Sequence, residues 1–321
     1  MAAKRAKGKT LSDFSQYMVI LSVILVFLIF TVLNHNFVSA YSLQNIMIEV
    51  SPLILLACGL SFIIFTGGID LGSGSMVSAT CVISGLYVSR FGNWIIPIML
   101  LIGMILGLLN GVIVTKLKIP SFIVTLCTQN FWDYIALTLC PNGSVAIDLS
   151  FRKQISWMTE KVAGIPVIFL IAIASVIVLY VFQQYTSSGR AIFAVGANIR
   201  SARLAGVDTD LAQIMAFVVS GACSSLAGAL YAYKQKSAVP TIGSSLTLSA
   251  IAAFALGGTS MAGGRGSVLR TALGVVTITA ITSGLNMMGV DPLWKDIIIG
   301  LILIGAVYLN SDTKGRDIIV K

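Results

Sequence analysis

Charge is what this sequence has least of. Only 10% of its 321 residues are Asp, Glu, Lys or Arg, against about 25% in a soluble domain, and that excludes a soluble globular fold. Acidic residues are the rarer sign, 12 against 21 Lys and Arg. A membrane-embedded protease or transferase would need paired groups at membrane depth. The carboxylates Glu49, Asp70, Asp133, Asp148 and Glu160 form no such pair. Histidine occurs once, at His35, with no nucleophile beside it. The five cysteines (Cys58, Cys81, Cys127, Cys140 and Cys223) show neither a disulfide framework nor metal-ligand spacing, and they read as small buried fillers. Gly8-Lys9-Thr10 resembles the end of a phosphate loop, but the pattern also needs a glycine where Ala3 stands, and a strand before it. No enzymatic activity and no cofactor or metal site is therefore expected in this chain, and any ATP chemistry must belong to a partner.

What fills the sequence instead is apolar residue, 57% of the total. Runs of about 20 such residues recur, each long enough to cross roughly 30 Å of hydrocarbon as a helix. They are too long and too evenly apolar for barrel strands, so the expected fold is an all-α polytopic membrane protein with kinked or broken helices and glycine-rich turns. The net charge of +9 does not point to nucleic acid. It follows the bias of Lys and Arg toward cytoplasmic loops: Lys4, Arg5, Lys7 and Lys9 precede the first run, and Lys314, Arg316 and Lys321 follow the last. Both termini are expected inside, which requires an even number of crossings.

The runs are Met18–Leu33, Ile46–Phe65 with a kink expected at Pro52, a third ending near Ser89, Trp94–Thr115, a fifth opening at Pro120-Ser121 and ending near Leu139, a sixth from Pro166 to Phe182, a seventh from Asp210 to Tyr233, then Leu246–Leu256, Val268–Met287 and Leu293–Leu309. A signal peptide would look like the first run, with Val38-Ser39-Ala40 as its cleavage site, but the core is long and a polytopic chain follows. Counting sides across ten crossings puts Lys116, Lys118, Arg265, Arg270 and the arginines after the sixth run inside. It puts the polar loop Cys140–Ile165 outside despite Arg152, Lys153 and Lys161, together with Lys234 and Lys236. One membrane domain over 1–321 is expected, with cytoplasmic tails at 1–17 and 310–321 and a cytoplasmic segment at 184–209.

That segment is a long polar stretch near the middle of the chain, between two apolar runs. Thr186–Asp208 holds Arg190, Arg200 and Arg203, the glycines Gly189, Gly196 and Gly206, and the polar landmarks Asn198 and Ser201. Helix–helix connections usually take 2–8 residues. Here an apolar piece, Ala191–Val195, and a short helix, Asn198–Ala205, predict a structured docking surface. Gly196 and Gly206 would permit sharp bends on either side of the short helix.

Two further polar features stand out. Gln129, Asn130 and Asp133 share one helical face and would either line a watery path for a hydroxyl-rich solute or be solvated near the outer interface. Asp70 would cap the following helix or gate a path. The stretches Gly67–Ser75 (GGIDLGSGS) and Gly257–Ser267 (GGTSMAGGRGS) echo each other, either as an internal repeat with broken helices or as small residues that let helices approach.

Thr66–Ser75 (TGGIDLGSGS), Pro120–Leu126 (PSFIVTL), Ser188–Asp208 (SGRAIFAVGANIRSARLAGVD) and Leu256–Ser267 (LGGTSMAGGRGS) stand in an order that resembles the ribose-type permease subunit of bacterial ATP-binding-cassette importers. The resemblance covers nearly the whole chain. It implies an all-helical permease of the cytoplasmic (inner) membrane, working with a second copy or a sister permease. A binding protein outside the cytoplasm would deliver a monosaccharide or sugar-like solute, and an ATPase subunit carrying ATP and Mg would drive transport. Segment 184–209 would then be the coupling loop, with Gly196, Asn198, Arg200, Ala202, Arg203, Leu204 and Gly206 engaging the ATPase. The solute path would pass Thr66, Asp70, Gln129, Asn130, Asp133, Thr259 and Asn286. One departure bears on the solute: many family members have Arg-Gly where this sequence has Asp133-Tyr134. The alternative reading is an ion-coupled secondary transporter, against which the scarcity of interior carboxylates argues.

Overall fold

A computed structural model describes residues 19–310. The basic tails, the Gly8-Lys9-Thr10 triplet and the residues 311–321 lie outside the described residues. The chain is almost entirely helical. In order it forms α1 (Val19–Leu33), α2 (Ala40–Phe65), α3 (Ser73–Phe91), α4 (Ile95–Lys116), α5 (Ser121–Leu139), the short α6 (Leu149–Ile155), α7 (Val167–Tyr185), α8 (Ser187–Ala197), α9 (Ile199–Leu204), α10 (Thr209–Gln235), α11 (Leu246–Leu256), α12 (Val268–Met287) and α13 (Pro292–Asn310). Each predicted apolar run is a helix. Five stretches are long and apolar enough to cross a membrane: Ala40–Phe65, Ser73–Lys116 (which holds α3 and α4), Val167–Tyr185, Thr209–Gln235 and Val268–Met287. The protein is an all-α polytopic membrane protein.

Two helices organise the bundle. α2 is buried along most of its length from Val50 to Phe65 and continues through Pro52. It starts six residues earlier than the apolar pattern predicts, because Ser39 caps it, accepting from the Ser42 N–H at 3.2 Å. α10 packs along α2, α3 and α4. The α4–α10 seam is made of small residues spaced by four. A β-carbon at Gly103, Gly107 or Gly111 would lie 2.3, 2.2 or 2.8 Å from backbone atoms of Gly221, Phe217 or Ile214. In lipid, where burial of apolar surface gives no drive, such close backbone approach supplies the contact that holds helices together.

α10 is 27 residues long and therefore spans about 40 Å, which separates two ends of the molecule. At its start lies the arginine segment, tied to α4 by Lys116–Asp210 at 3.2 Å. At its other end the chain after α5 and the chain after α10 meet. Strand β1 (Val145–Ala146) pairs antiparallel with β4 (Ser237–Ala238), Val145 opposite Ala238. The Ile147 N–H donates to the Lys236 carbonyl at 2.9 Å, and Trp157 donates to Asn93 at 3.1 Å. The two basic loops that the side count placed together therefore share one end. Cys140–Ile165 is not the simple loop the sequence suggests. It holds α6, capped by Asp148, and a hairpin of β2 (Lys161–Val162) on β3 (Ile165–Pro166). Asp148 accepts from the backbone N–H of Ser150 and from its hydroxyl, which holds its carboxyl below the usual carboxylate range.

α3 does not start at the arginine end. Asp70 meets Ser220, the twelfth residue of α10, about 16 Å along that helix. Gly228 of α10 lies against Thr80 of α3, which gives the same offset. Residues 66–72 thus climb into the bundle as irregular chain before α3 begins. On the other side of α3 the chain 237–245 descends without a helix until α11, where the Thr247 hydroxyl accepts from the Gly74 N–H at 3.1 Å and Ser78 accepts from the Gly243 N–H at 2.9 Å. Irregular backbone at this depth survives only when buried in protein or lining a cavity.

Candidate functional site

The arginine segment folds as two helices. Thr186 caps α8, accepting from the Gly189 N–H at 3.0 Å, and Asn198 caps α9, accepting from the Ser201 N–H at 2.9 Å. Of the predicted coupling residues, Ala202 is buried beneath α9. Asn198, Arg200, Arg203 and Leu204 are on the exposed side, and Leu204 is 91% exposed. Arg203 is turned back toward the start of α10, donating to the Thr209 hydroxyl at 2.9 Å with Asp210 at 3.9 Å. It braces the α9–α10 corner, whereas Arg200 and Leu204 point away from the bundle.

The two glycines do different jobs. Gly206 bends the exit of α9 with φ +80°, and a β-carbon there would meet nothing within 4 Å. Its N–H and that of Val207 donate to Arg203 and Ala202, the paired bonds that end a helix on a left-handed residue. Gly196 makes no bend. A β-carbon there would sit 1.8 Å from the Phe65 carbonyl oxygen and 2.6 Å from the Gly264 nitrogen. The expected turn residue is a contact residue.

That contact joins three segments. The Gly264 N–H donates to the Phe65 carbonyl at 2.9 Å. A β-carbon on Gly263 would lie 2.7 Å from the Gly67 nitrogen, and one on Gly264 would lie 2.7 Å from the Ala197 backbone. The end of α2, the turn after α11 and the α8–α9 junction therefore touch backbone to backbone. Phe65 stacks on Phe193 of α8 at 4.5 Å beside the junction.

The sequence echo between the glycine-rich turns exists in the backbone, shifted by one residue from the Gly-Gly alignment. After α2, Gly67 and Gly68 donate to Ile64 and Ile63. After α11, Gly258 and Thr259 donate to Ala255 and Phe254. Gly67 and Gly258 carry the positive φ, +82° and +70°. The first turn is then pinned by α5: Ser121 accepts from the Ile69 N–H at 2.9 Å and Thr125 from the Leu71 N–H at 3.1 Å. These two pins are structural contacts of the turn that sequence reasoning missed. The Pro120–Leu126 motif carried them, but nothing local says that hydroxyls at 121 and 125 face another segment.

The predicted path residues do not form one cluster. Thr66 lines a cavity of about 850 Å³ at the arginine end, beside Lys118, Ser121, Arg203 and Gln213. Asp70 is buried. It accepts from the Gly72 N–H at 2.9 Å and from the Ser220 hydroxyl at 3.4 Å, so it shapes the turn before α3, whose own cap position is Gly72 with no side-chain cap. Thr259 is buried with its hydroxyl unpartnered among the described residues. Gln129 and Asp133 are half-buried and Asn130 exposed on α5, Asn130 donating to the carbonyl of Leu126 in its own helix at 3.1 Å. Asn286 lies at the far end and accepts from Lys295.

The chain is 34% identical over 296 residues to a ribose import permease protein of Haemophilus influenzae, covering 91% of each. It is 31% identical over 315 residues to a galactose/methyl galactoside import permease protein of Escherichia coli, covering 91% of this chain and 92% of the relative. It is also 32% identical over 298 residues to an autoinducer 2 import system permease protein of Photorhabdus luminescens, covering 91% and 88%. No solved structure matches. Residues 42–307 match the family described as the branched-chain amino acid transport system / permease component, and with that match spanning α2 to α13 the chain belongs to this permease family.

Proposed function

We propose that this chain is the membrane-spanning permease subunit of a binding-protein-dependent ATP-binding-cassette importer, carrying a monosaccharide or a related hydroxyl-rich solute into the cytoplasm. It has no catalysis of its own: a separate ATPase holds ATP and Mg, and a binding protein outside the cytoplasm delivers the solute. The observation that carries the reading is the joint at Gly196. α9 presents Arg200 and an exposed Leu204 outward, while the residues just before it press on the backbone at the end of α2 and in the turn after α11. A short rigid helix seated in an ATPase groove would push on both of those places directly. The relatives named for ribose, galactose and autoinducer 2 import support a small polar solute as cargo. The arginine end faces the cytoplasm in this reading, supported by Lys116, Lys118, Arg190, Arg200 and Arg203 on that side, against Arg152, Lys153, Lys161, Lys234 and Lys236 at the other.

A second permease, a copy or a sister, belongs to the proposal. α5 leaves Phe122, Ile123, Leu126, Phe131 and Tyr134 exposed beside Gln129, Asn130 and Asp133. A carboxylate on a helix face toward lipid is costly, so a partner protomer or a watery path between protomers would cover this face.

The test is reconstitution of the permease with its cognate ATPase and binding protein in vesicles loaded with ATP, with labelled D-ribose and D-galactose outside. Uptake that needs ATP and the binding protein, and that survives a proton uncoupler at fixed ATP, supports import. Uptake that collapses with the uncoupler and ignores ATP belongs to an ion-coupled carrier. Leu204→Asp should release the ATPase from the permease in co-purification while leaving the permease folded.

A further inference from the structure

The start of α12 takes its cap from another helix. Ser267, the residue before it, makes no side-chain cap bond. The first N–H of the helix, on Val268, donates instead to the side-chain oxygen of Gln183 on α7 at 2.8 Å. Both residues are buried, Gln183 at 5% exposure and Val268 at 0%. A buried backbone N–H is almost always paired, and this one reaches its acceptor across 85 residues of sequence. The Val268 carbonyl is held by α2, where the Cys58 thiol donates to it at 3.7 Å.

The place of Gln183 on α7 gives this bond its meaning. Thr186, three residues on, caps α8. Gly189 of α8 packs on the end of α7, where a β-carbon would lie 2.2 Å from the Phe182 carbonyl oxygen and 2.6 Å from that of Gln183. α7 and α8 thus meet backbone to backbone. At the other end of α8, a β-carbon on Gly264 would lie 2.7 Å from the Ala197 backbone. The chain from Gly264 to Val268 is therefore held at both ends by one segment, at Gly264 by Ala197 and at Val268 by Gln183. Only Arg265, Gly266 and Ser267 stand between the two holds. From there α12 runs for 20 residues, about 30 Å, packing on α2 and α11. Its far half contributes Thr279 to a second cavity, of about 320 Å³, shared with Glu49, Tyr231 and Lys295.

We propose that Gln183 is a positioning residue for transport: its bond to Val268 makes the end of α7, α8, α9 and the start of α12 one moving body. A push on α9 then reaches α12 as well as the end of α2. Packed helices slide past one another in small shear movements, whereas a hydrogen bond fixes both a distance and a direction. The bond ties α12 to the arginine segment at the point where sliding would otherwise start. The proposal rests on the import reading and adds a second hold on the bundle, separate from the contact at Gly196.

The test uses the permease reconstituted with its ATPase and binding protein. Gln183→Met keeps the length of the side chain and removes the acceptor, and Gln183→Glu keeps an oxygen at the same place. Gln183→Met should raise the ATP hydrolysed per labelled sugar imported about tenfold, and Gln183→Glu should stay within about twofold of the unaltered complex. A role in packing alone predicts a lower thermal midpoint for Gln183→Met with an unchanged ratio, and that result overturns the proposal. Spin labels decide the matter with Gln183 in place, should Gln183→Met not assemble. In a Cys127→Ser background, labels at Arg190→Cys and Leu269→Cys report on the two sides of the bond. Labels at Arg190→Cys and Leu117→Cys report on α8 against the end of α4. All three positions are exposed. When the ATPase is trapped with ATP and vanadate, the first distance should hold and the second should change. A change in the first as large as in the second overturns the proposal while import stands. No change in either means that the arginine segment does not respond to ATP, and the coupling reading falls with the proposal.

Discussion

The two ends of this bundle are built by opposite means. At the arginine end, the end of α2, the turn after α11 and the α8–α9 junction meet through backbone atoms, with glycine at Gly67, Gly196, Gly263 and Gly264 where side chains would otherwise intervene. At the far end the joining is done by side chains and short strand pairings: Trp157 on Asn93, Lys234 on Glu49 at 2.5 Å, Tyr233 on the Gly92 carbonyl at 3.2 Å, and β1 on β4. A side-chain contact has rotamers through which it yields when one partner moves. A backbone contact has none, and packed cores shift between discrete arrangements rather than deform. In the import reading the arginine end is the one suited to pass on a displacement, and the far end the one suited to hold its shape.

The contrast can be broken most severely at Gly196. Gly196→Val would drive carbon into the Phe65 carbonyl, an overlap well beyond ordinary overpacking at ~1–3 kcal/mol. Uptake in reconstituted vesicles should fall by more than about tenfold, and ATP hydrolysis should cease to track uptake. Normal coupled uptake would show that the joint transmits nothing. Next comes the seam that belongs to neither end: Gly107→Leu should lower the thermal midpoint of the detergent-solubilised permease, at a cost of about 1–3 kcal/mol, because Phe217 of α10 lies 2.2 Å from the added β-carbon.

Gly206→Ala sharpens the comparison within one element. It sits at φ +80° in open space, so only the left-handed backbone is penalised, about 1–2 kcal/mol. Its effect on uptake should be several-fold smaller than that of Gly196→Val, and equal effects would mean that the bend, not the contact, does the coupling. Ser121→Ala removes one pin on the first turn and should cost about 0.5–1.5 kcal/mol, read as a lower thermal midpoint with uptake retained. Smallest is Lys116→Met. Its partner Asp210 is half-exposed, and such pairs contribute about 0–1 kcal/mol, an effect that 1 M salt should erase.

Much of this was legible in the linear chain. The helix ends at Phe65, Leu256 and Met287 were read to the residue, and the short helix at 198–205 was read with its asparagine, because caps and glycine stops act over a few neighbouring positions. The N-terminal extension of α2 was missed because Tyr41-Ser42-Leu43-Gln44 looks like a connector until Ser39 is seen capping it. Gly196 was read as a bend, since a glycine beside a helix usually is one, and nothing nearby in sequence announces the Phe65 carbonyl. Of the seven polar residues assigned to a path, only Gln129, Asn130 and Asp133 share a helical face; the fold puts Thr66 at the arginine end, buries Asp70 and Thr259, and leaves Asn286 at the far end.

The sequence by itself determined that this is a helical membrane protein with a structured arginine segment on one side. Span length, apolarity and the placement of Lys and Arg are local or additive properties, and lipid leaves a backbone no other way to satisfy its hydrogen bonds. Only the tertiary structure decided which glycines permit contact and which permit a turn, that α3 and α11 begin partway through the bundle, and that Glu49, Tyr231, Thr279 and Lys295 share one cavity. Those are relations between segments up to some 250 residues apart in the chain, fixed by how closely α2, α10 and α12 pack rather than by any pattern along one helix.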